Sequence, residues 1–84
     1  MRPEDILPDA VNHTSINGLT IRKGTVAAFV ANARVLLDDA APPEARAAAE
    51  SAARGALPAL RALGVLEVFM PRDPRLVAWI AAQD

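Results

Sequence analysis

Apolar residues between positions 26 and 37 recur at the spacing of a helix that is apolar on two sides. The first stripe consists of Val26, Phe29, Val30, Ala33 and Leu37. The second stripe, on the far side, consists of Ala28, Ala31 and Val35. A helix at the surface of a small domain needs only one apolar face. Two faces therefore predict that this helix lies in the middle of the domain or at an oligomer interface.

The residues before this helix predict a β-hairpin. Asn17-Gly18 lies between apolar residues, and both positions of a two-residue turn require positive φ angles. Such a turn pairs Ile16 with Leu19, and strand alternation then puts both on one face with Ile21. Because two strands alone are marginally stable, we expect the hairpin to pack on helices or to recruit a third strand.

Two helix boundaries can be predicted around an alanine-rich segment. Thr25 is expected to be the N-cap of the two-faced helix, because its hydroxyl can accept a bond from a free backbone amide. A second helix is predicted from about Glu44 to Leu63, with Gly64 as its C-cap. Its apolar stripe keeps phase across Pro58, which favours one kinked helix over two separate helices.

The last part of the chain predicts a strand and a helix. Residues Val65 to Met70 are short, β-branched and aromatic, which favours a third strand over the alternative of a helical turn. Asp73 followed by Pro74 is typical of an N-cap and a first helical position, and this helix is expected to end near Ala82.

These elements predict an α+β fold that is mostly helical. It has an N-terminal β-hairpin, three helices and a possible third antiparallel strand at residues 65–70, where a helical turn is the alternative. Residues 1–10 contain two prolines and four charged side chains and are predicted to be an N-terminal arm. Residues 11–84 are predicted to form a single small domain.

Composition narrows the classes of function. The chain has 84 residues, no cysteine, one histidine and a net charge of −1. Disulfides and thiolate metal sites are excluded, so a partner subunit is the expected support for so small a core. The balanced charge offers no general attraction to nucleic acid or to anionic membranes. No apolar run suggests a membrane span, and we expect a cytoplasmic protein.

Residues that could carry out catalysis are scarce. His13 and Ser15 lie on one predicted strand, without the strained elbow that presents a nucleophile. The glycines belong to a turn, a break and a cap and do not form a phosphate-binding loop. The sequence therefore predicts a protein that is not an enzyme and that has no metal site and no cofactor.

Two motifs resemble a group of small bacterial proteins of uncharacterised function. The first is the helix start Gly24-Thr25-Val26-Ala27. The second is a segment of the form A-x-P-x-L-x-x-x-G-V-L-E-V-F, at Ala56 to Phe69. The resemblance covers the chain after the hairpin but not the residues from Arg72 onwards. Because both motifs concern a cap, a kink and a helix end, the resemblance implies no activity.

The function predicted from the sequence is a non-enzymatic protein–protein interaction module, with a homodimer as the expected assembly. The candidate interface residues are Ala28, Ala31, Val35 and Trp79. One alternative is a ribbon-helix-helix-like DNA-binding regulator that uses Arg22 and Lys23 on its strand. Another alternative is a small-ligand-binding domain with a pocket between hairpin and helices.

Overall fold

The chain folds into two short strands followed by helices. In a computed structural model, residues 13–16, 19–22 and 24–83 are described, with the backbone alone for 13–16, 20 and 22. The strands are β1 (His13–Ile16) and β2 (Leu19–Arg22). The helices of this part of the chain are α1 (Thr25–Leu36), α2 (Pro43–Leu63), α3 (Val65–Val68) and α4 (Pro74–Ala82).

The predicted α+β class is wrong, because the described chain is dominated by helix. Helix accounts for 74% of the residues that are described with their side chains, and strand for 3%. β1 and β2 are antiparallel, with His13 opposite Arg22 and Ile16 opposite Leu19, and no other described segment joins them. β2 lies against α2, where Ile21 is only 1% exposed. The Asn17-Gly18 turn lies outside the described residues.

The predicted third strand is also wrong, because residues 65–68 form the helical turn α3. The amide of Glu67 donates to the carbonyl of Gly64 at 3.1 Å, and that of Phe69 donates to Val65 at 2.9 Å. In a strand, Val65 and Leu66 would point to opposite faces. In the helical turn both side chains pack against the core. The described chain therefore has four helices instead of the three predicted.

The observed ends of the helices can be compared with the capping residues that the sequence predicts. Gly64 ends α2 at φ 81°, and the Asp73 carboxylate caps α4 by accepting from the amide of Arg75, so both predictions are confirmed. α2 runs as one helix through Pro58, as the phase of its stripe predicted. The prediction for Thr25 is wrong by one position. Thr25 is the first residue of α1, and Gly24 at φ 83° is its N-cap.

The core is built mainly by the long helix and by the helix before it. α1 and α2 are joined by a short loop and pack together as an antiparallel pair. α4 adds one buried leucine from the C-terminal end of the described chain. The buried cluster consists of Phe29, Ala33, Ala53, Leu57, Leu60 and Leu76. The buried positions of α2 are three or four residues apart and so form one face.

Candidate functional site

A wide apolar groove lies between α1 and the segment that joins α3 to α4. Its volume is about 610 Å³. The floor is part of the core itself and consists of Phe29, Ala33, Leu60 and Leu76. Further walls come from α1 (Val26, Val30, Leu37) and from α3 and the residue after it (Val65, Leu66, Phe69). The groove is therefore continuous with the hydrophobic core.

Large apolar side chains stand exposed along the groove. Phe69 is 69% exposed and Met70 is 76% exposed, and both line the groove from the segment after α3. Val26 and Val30 on the opposite wall are 44% and 46% exposed. Isolated apolar residues are common at protein surfaces, but a contiguous apolar patch marks a binding surface. These residues belong to one patch because they line the same groove.

The charged groups of the groove give its rim a positive character. Arg34 of α1 and Arg72 of the connecting segment line the groove, and neither side chain forms a hydrogen bond or ion pair with any described residue. Asp73 also lines the groove, but its carboxylate is held by Arg75, 2.9 Å from Nη2. Because Asp73 is already paired, the arginines are the charges available to a bound group.

The pairing of Asp73 with Arg75 also affects the pKa of the carboxyl group. The side chain of Arg75 donates hydrogen bonds to the carboxylate, and the amide of Arg75 donates another at 2.8 Å. These bonds hold the pKa of Asp73 below its ordinary value. Asp73 therefore stays ionised as the cap of α4 and has no proton to exchange at neutral pH.

The groove is lined mainly by apolar side chains, with Arg34, Arg72 and Asp73 as its charged residues. Among the groove's described lining residues there is no histidine, serine, threonine, lysine or cysteine that could act as a nucleophile or base. No group of three or more potential metal ligands occurs among the described residues. No helix in the described part of the chain is long and apolar enough to cross a membrane.

The four candidate interface residues from the sequence do not come together in the structure. Ala28 and Ala31 are exposed on α1, and Val35 is half-buried. Ala28 lies beside Ala52 and Gly55 of α2.

Trp79 is half-buried and packs against the core. Its Nε1 is 3.5 Å from Oε1 of Glu50. Helical spacing puts Glu50 on the face of α2 opposite the Ala52 and Gly55 side, so Trp79 and Ala28 lie on different sides of the long helix.

The candidate nucleic-acid contacts have no side-chain description. Arg22 occupies the last position of β2, opposite His13, but only its backbone is described. Lys23 lies outside the described residues.

Sequence reasoning missed the groove and its exposed rim. The signal was present in the run Val68-Phe69-Met70, where three large apolar residues stand in succession just before Pro71. On a strand with one buried face, side chains alternate between the two faces, so three consecutive apolar residues leave at least one exposed. Arg34 and Arg72 carried no signal, because their positions beside the groove depend on how α1 and the connecting segment face each other.

Comparisons with known proteins do not assign the chain to a family. No family model matches the chain, and no curated protein or solved structure matches it either. The resemblance to small bacterial proteins therefore stays a prediction from the two motifs.

Proposed function

We propose that the protein is a non-enzymatic protein–protein interaction module and that the groove is its binding surface. The observation that carries the proposal is the open apolar groove of about 610 Å³ with Phe69 and Met70 exposed at its rim. Leaving such side chains in water is unfavourable, and covering them with an apolar partner releases that free energy.

The partner that fits is an amphipathic segment with apolar anchors and carboxylates. Apolar anchors at helical spacing suit a long groove with an apolar floor, as in other helix-in-groove complexes. Carboxylates on the same segment match Arg34 and Arg72 at the rim, because an arginine forms strong, directional bonds with a carboxylate. We therefore propose that the partner is a segment with a net negative charge.

A designed peptide tests this proposal directly. The probe is a helical peptide with leucines at positions i, i+3, i+4 and i+7 and glutamates at its other positions. We expect it to shift the NMR signals of Val26, Val30 and Leu66. A matched peptide with lysine in place of each glutamate should bind more weakly, because it places like charge beside the arginines.

Matched variants on α1 complete the test. Val30→Ser removes a groove-lining side chain, whereas Ala31→Ser changes its exposed neighbour, which does not line the groove. The acidic peptide should bind Val30→Ser several-fold more weakly and Ala31→Ser as tightly as the unchanged chain. Equal binding of both peptides and both variants would contradict the proposal.

A small-ligand-binding function is the second candidate, because the groove volume lies in the range of about 300–1,000 Å³ typical of ligand pockets. A fatty carboxylate such as decanoate is the matching probe, with its chain on the apolar floor and its head at an arginine. Saturation by decanoate at micromolar concentration, with no binding of the acidic peptide, would favour this candidate over the interaction module.

Self-association and a cytoplasmic location are further parts of the proposal. A homodimer is supported by the exposure of Ala28 and Ala31, which leaves part of the second stripe of α1 uncovered. Light scattering at high micromolar concentration should give twice the chain mass of 8.9 kDa, and a monomer mass would refute the dimer. The cytoplasmic location is supported by the sequence alone.

A further inference from the structure

The pairing of the two strands sets an upper limit on the distance between His13 and the groove. His13 is the pairing partner of Arg22, so the two Cα atoms lie about 5 Å apart across the ladder. Arg22 is followed within four residues by Val26, which forms the first wall of the groove. His13 is therefore within about 20 Å of Val26, because the four residues from Arg22 to Val26 span at most about 14 Å.

The same residues have the chemistry that the groove selects. Between Glu4 and Val11 the chain reads EDILPDAV, with Ile6, Leu7 and Val11 as apolar groups and three carboxylates among them. The rim offers Arg34 and Arg72 without partners among the described residues. The apolar side chains and carboxylates of this short segment match the apolar floor and the arginines of the groove.

We propose that the segment Glu4–Val11 of the same chain is a ligand of the groove and competes there with external partners. This inference rests on the proposed function, because it uses the same groove and the same partner chemistry. It adds that the chain carries its own competing segment. An external partner must then displace the segment, and its apparent affinity is reduced by the fraction of molecules in which the groove is occupied.

The length of the segment is sufficient for this contact. From Val26 to Leu37 the α1 wall spans about 16 Å at 1.5 Å per residue. Leu7 precedes His13 by six residues, which span up to about 20 Å when extended. A short tether also keeps the segment at an effective concentration of about 1 mM or more, so even weak contacts lead to occupancy.

Engineered cysteine pairs test the contact without background, because the chain contains no cysteine. The test pair is Leu7→Cys with Val30→Cys, on the groove wall. The control pair is Leu7→Cys with Ala28→Cys, on an exposed part of α1 that does not line the groove. Under mild oxidation of the full chain, the test pair should form an intramolecular disulfide about tenfold faster than the control pair, because docking raises the local concentration.

The outcomes of the disulfide experiment distinguish between the possible occupants of the groove. A fast intramolecular disulfide that slows several-fold in Arg34→Ala with Arg72→Ala supports the proposal. Equal rates for the test and control pairs overturn it. A covalent dimer formed through Leu7→Cys of one copy and Val30→Cys of another also overturns it, because the occupant would then be the segment of a second copy.

A competition experiment distinguishes failure of this inference from failure of the proposed function. In Ile6→Ser with Leu7→Ser, the segment loses two apolar anchors while the groove is unchanged. The acidic designed peptide should bind this variant about tenfold more tightly if the segment occupies the groove in nine molecules of ten. Unchanged tight binding refutes the competing segment and leaves the interaction module standing. No binding to either protein refutes the interaction module itself.

Discussion

Replacing Phe69 by serine should remove binding energy while leaving the fold nearly as stable as before. Phe69 is 69% exposed, so only about a third of it is buried within the chain. Complete burial of a phenylalanine side chain is worth about 1.5–3 kcal/mol. Loss of the buried third should therefore lower the free energy of unfolding by about 0.5–1 kcal/mol.

The exposed two thirds of Phe69 set the expected loss in binding. If a partner covers that surface, it contributes about 1–2 kcal/mol to the complex. Phe69→Ser should then weaken the binding of the acidic amphipathic peptide by about 5- to 30-fold. The effect on binding is thus larger than the effect on folding, which is the signature of a side chain that serves a partner.

Leu57→Ala is the matched comparison for this prediction. Leu57 is 2% exposed and does not line the groove, and a buried leucine replaced by alanine costs about 2–5 kcal/mol of stability. Urea unfolding measures the free energy of both variants, and peptide titration measures their affinity under folding conditions. The reasoning is refuted if Phe69→Ser destabilises the chain as much as Leu57→Ala, or if it leaves peptide affinity unchanged.

Three further predictions concern the fold. Gly64→Ala should lower the free energy of unfolding by about 1–2 kcal/mol, because φ is +81° at that position. Gly55→Ala should raise it by about 0.5–1 kcal/mol, because Gly55 lies inside α2 and an added Cβ meets nothing within 4 Å. Equal effects of the two variants in urea melts would contradict this prediction. Ile21→Ala should cost about 2–5 kcal/mol, and an unchanged unfolding midpoint would show that β2 is not docked on α2. Asp73 has a lowered pKa, so the stability that its ionised form contributes is present above its ordinary pKa near 4 and is lost as the pH falls through the lowered pKa. In thermal melts, Asp73→Ala should therefore be less stable than the unchanged chain at pH 6, and the two should have the same stability in strong acid. A difference in stability that does not shrink in acid would contradict the capping role of Asp73.

Local chemistry explains the parts of the fold that the sequence predicts correctly. A glycine that must adopt positive φ ends α2, and an aspartate before a proline begins α4. Each of these signals acts over three or four residues and needs no knowledge of the rest of the molecule. The unbroken phase of apolar positions across Pro58 likewise predicts one continuous helix, as the structure has it.

The fold class and the groove depend on contacts between elements, and there the sequence is ambiguous. β-branched and aromatic residues at 65–69 suit a strand, but the structure gives Val65 and Leu66 a place on the core only as a helical turn. α2 is rich in alanine on several sides, so composition does not single out Ala49 and Ala53 as the buried positions. The candidate site shares this limit, because its lining residues come from four parts of the chain: α1, α2, α3 with the segment after it, and α4.

The alanine-rich helix also gives a physical reason for the groove. Alanine lets α1 and α2 approach closely, but each methyl group buries little apolar area. The large buried side chains of the core cluster are few: Phe29, Leu57, Leu60 and Leu76. Val26 and Val30, which line the groove, therefore keep close to half of their surface exposed. A segment that fills the groove adds to the core as well as making a contact, so its binding and the stability of the fold are linked and should rise together.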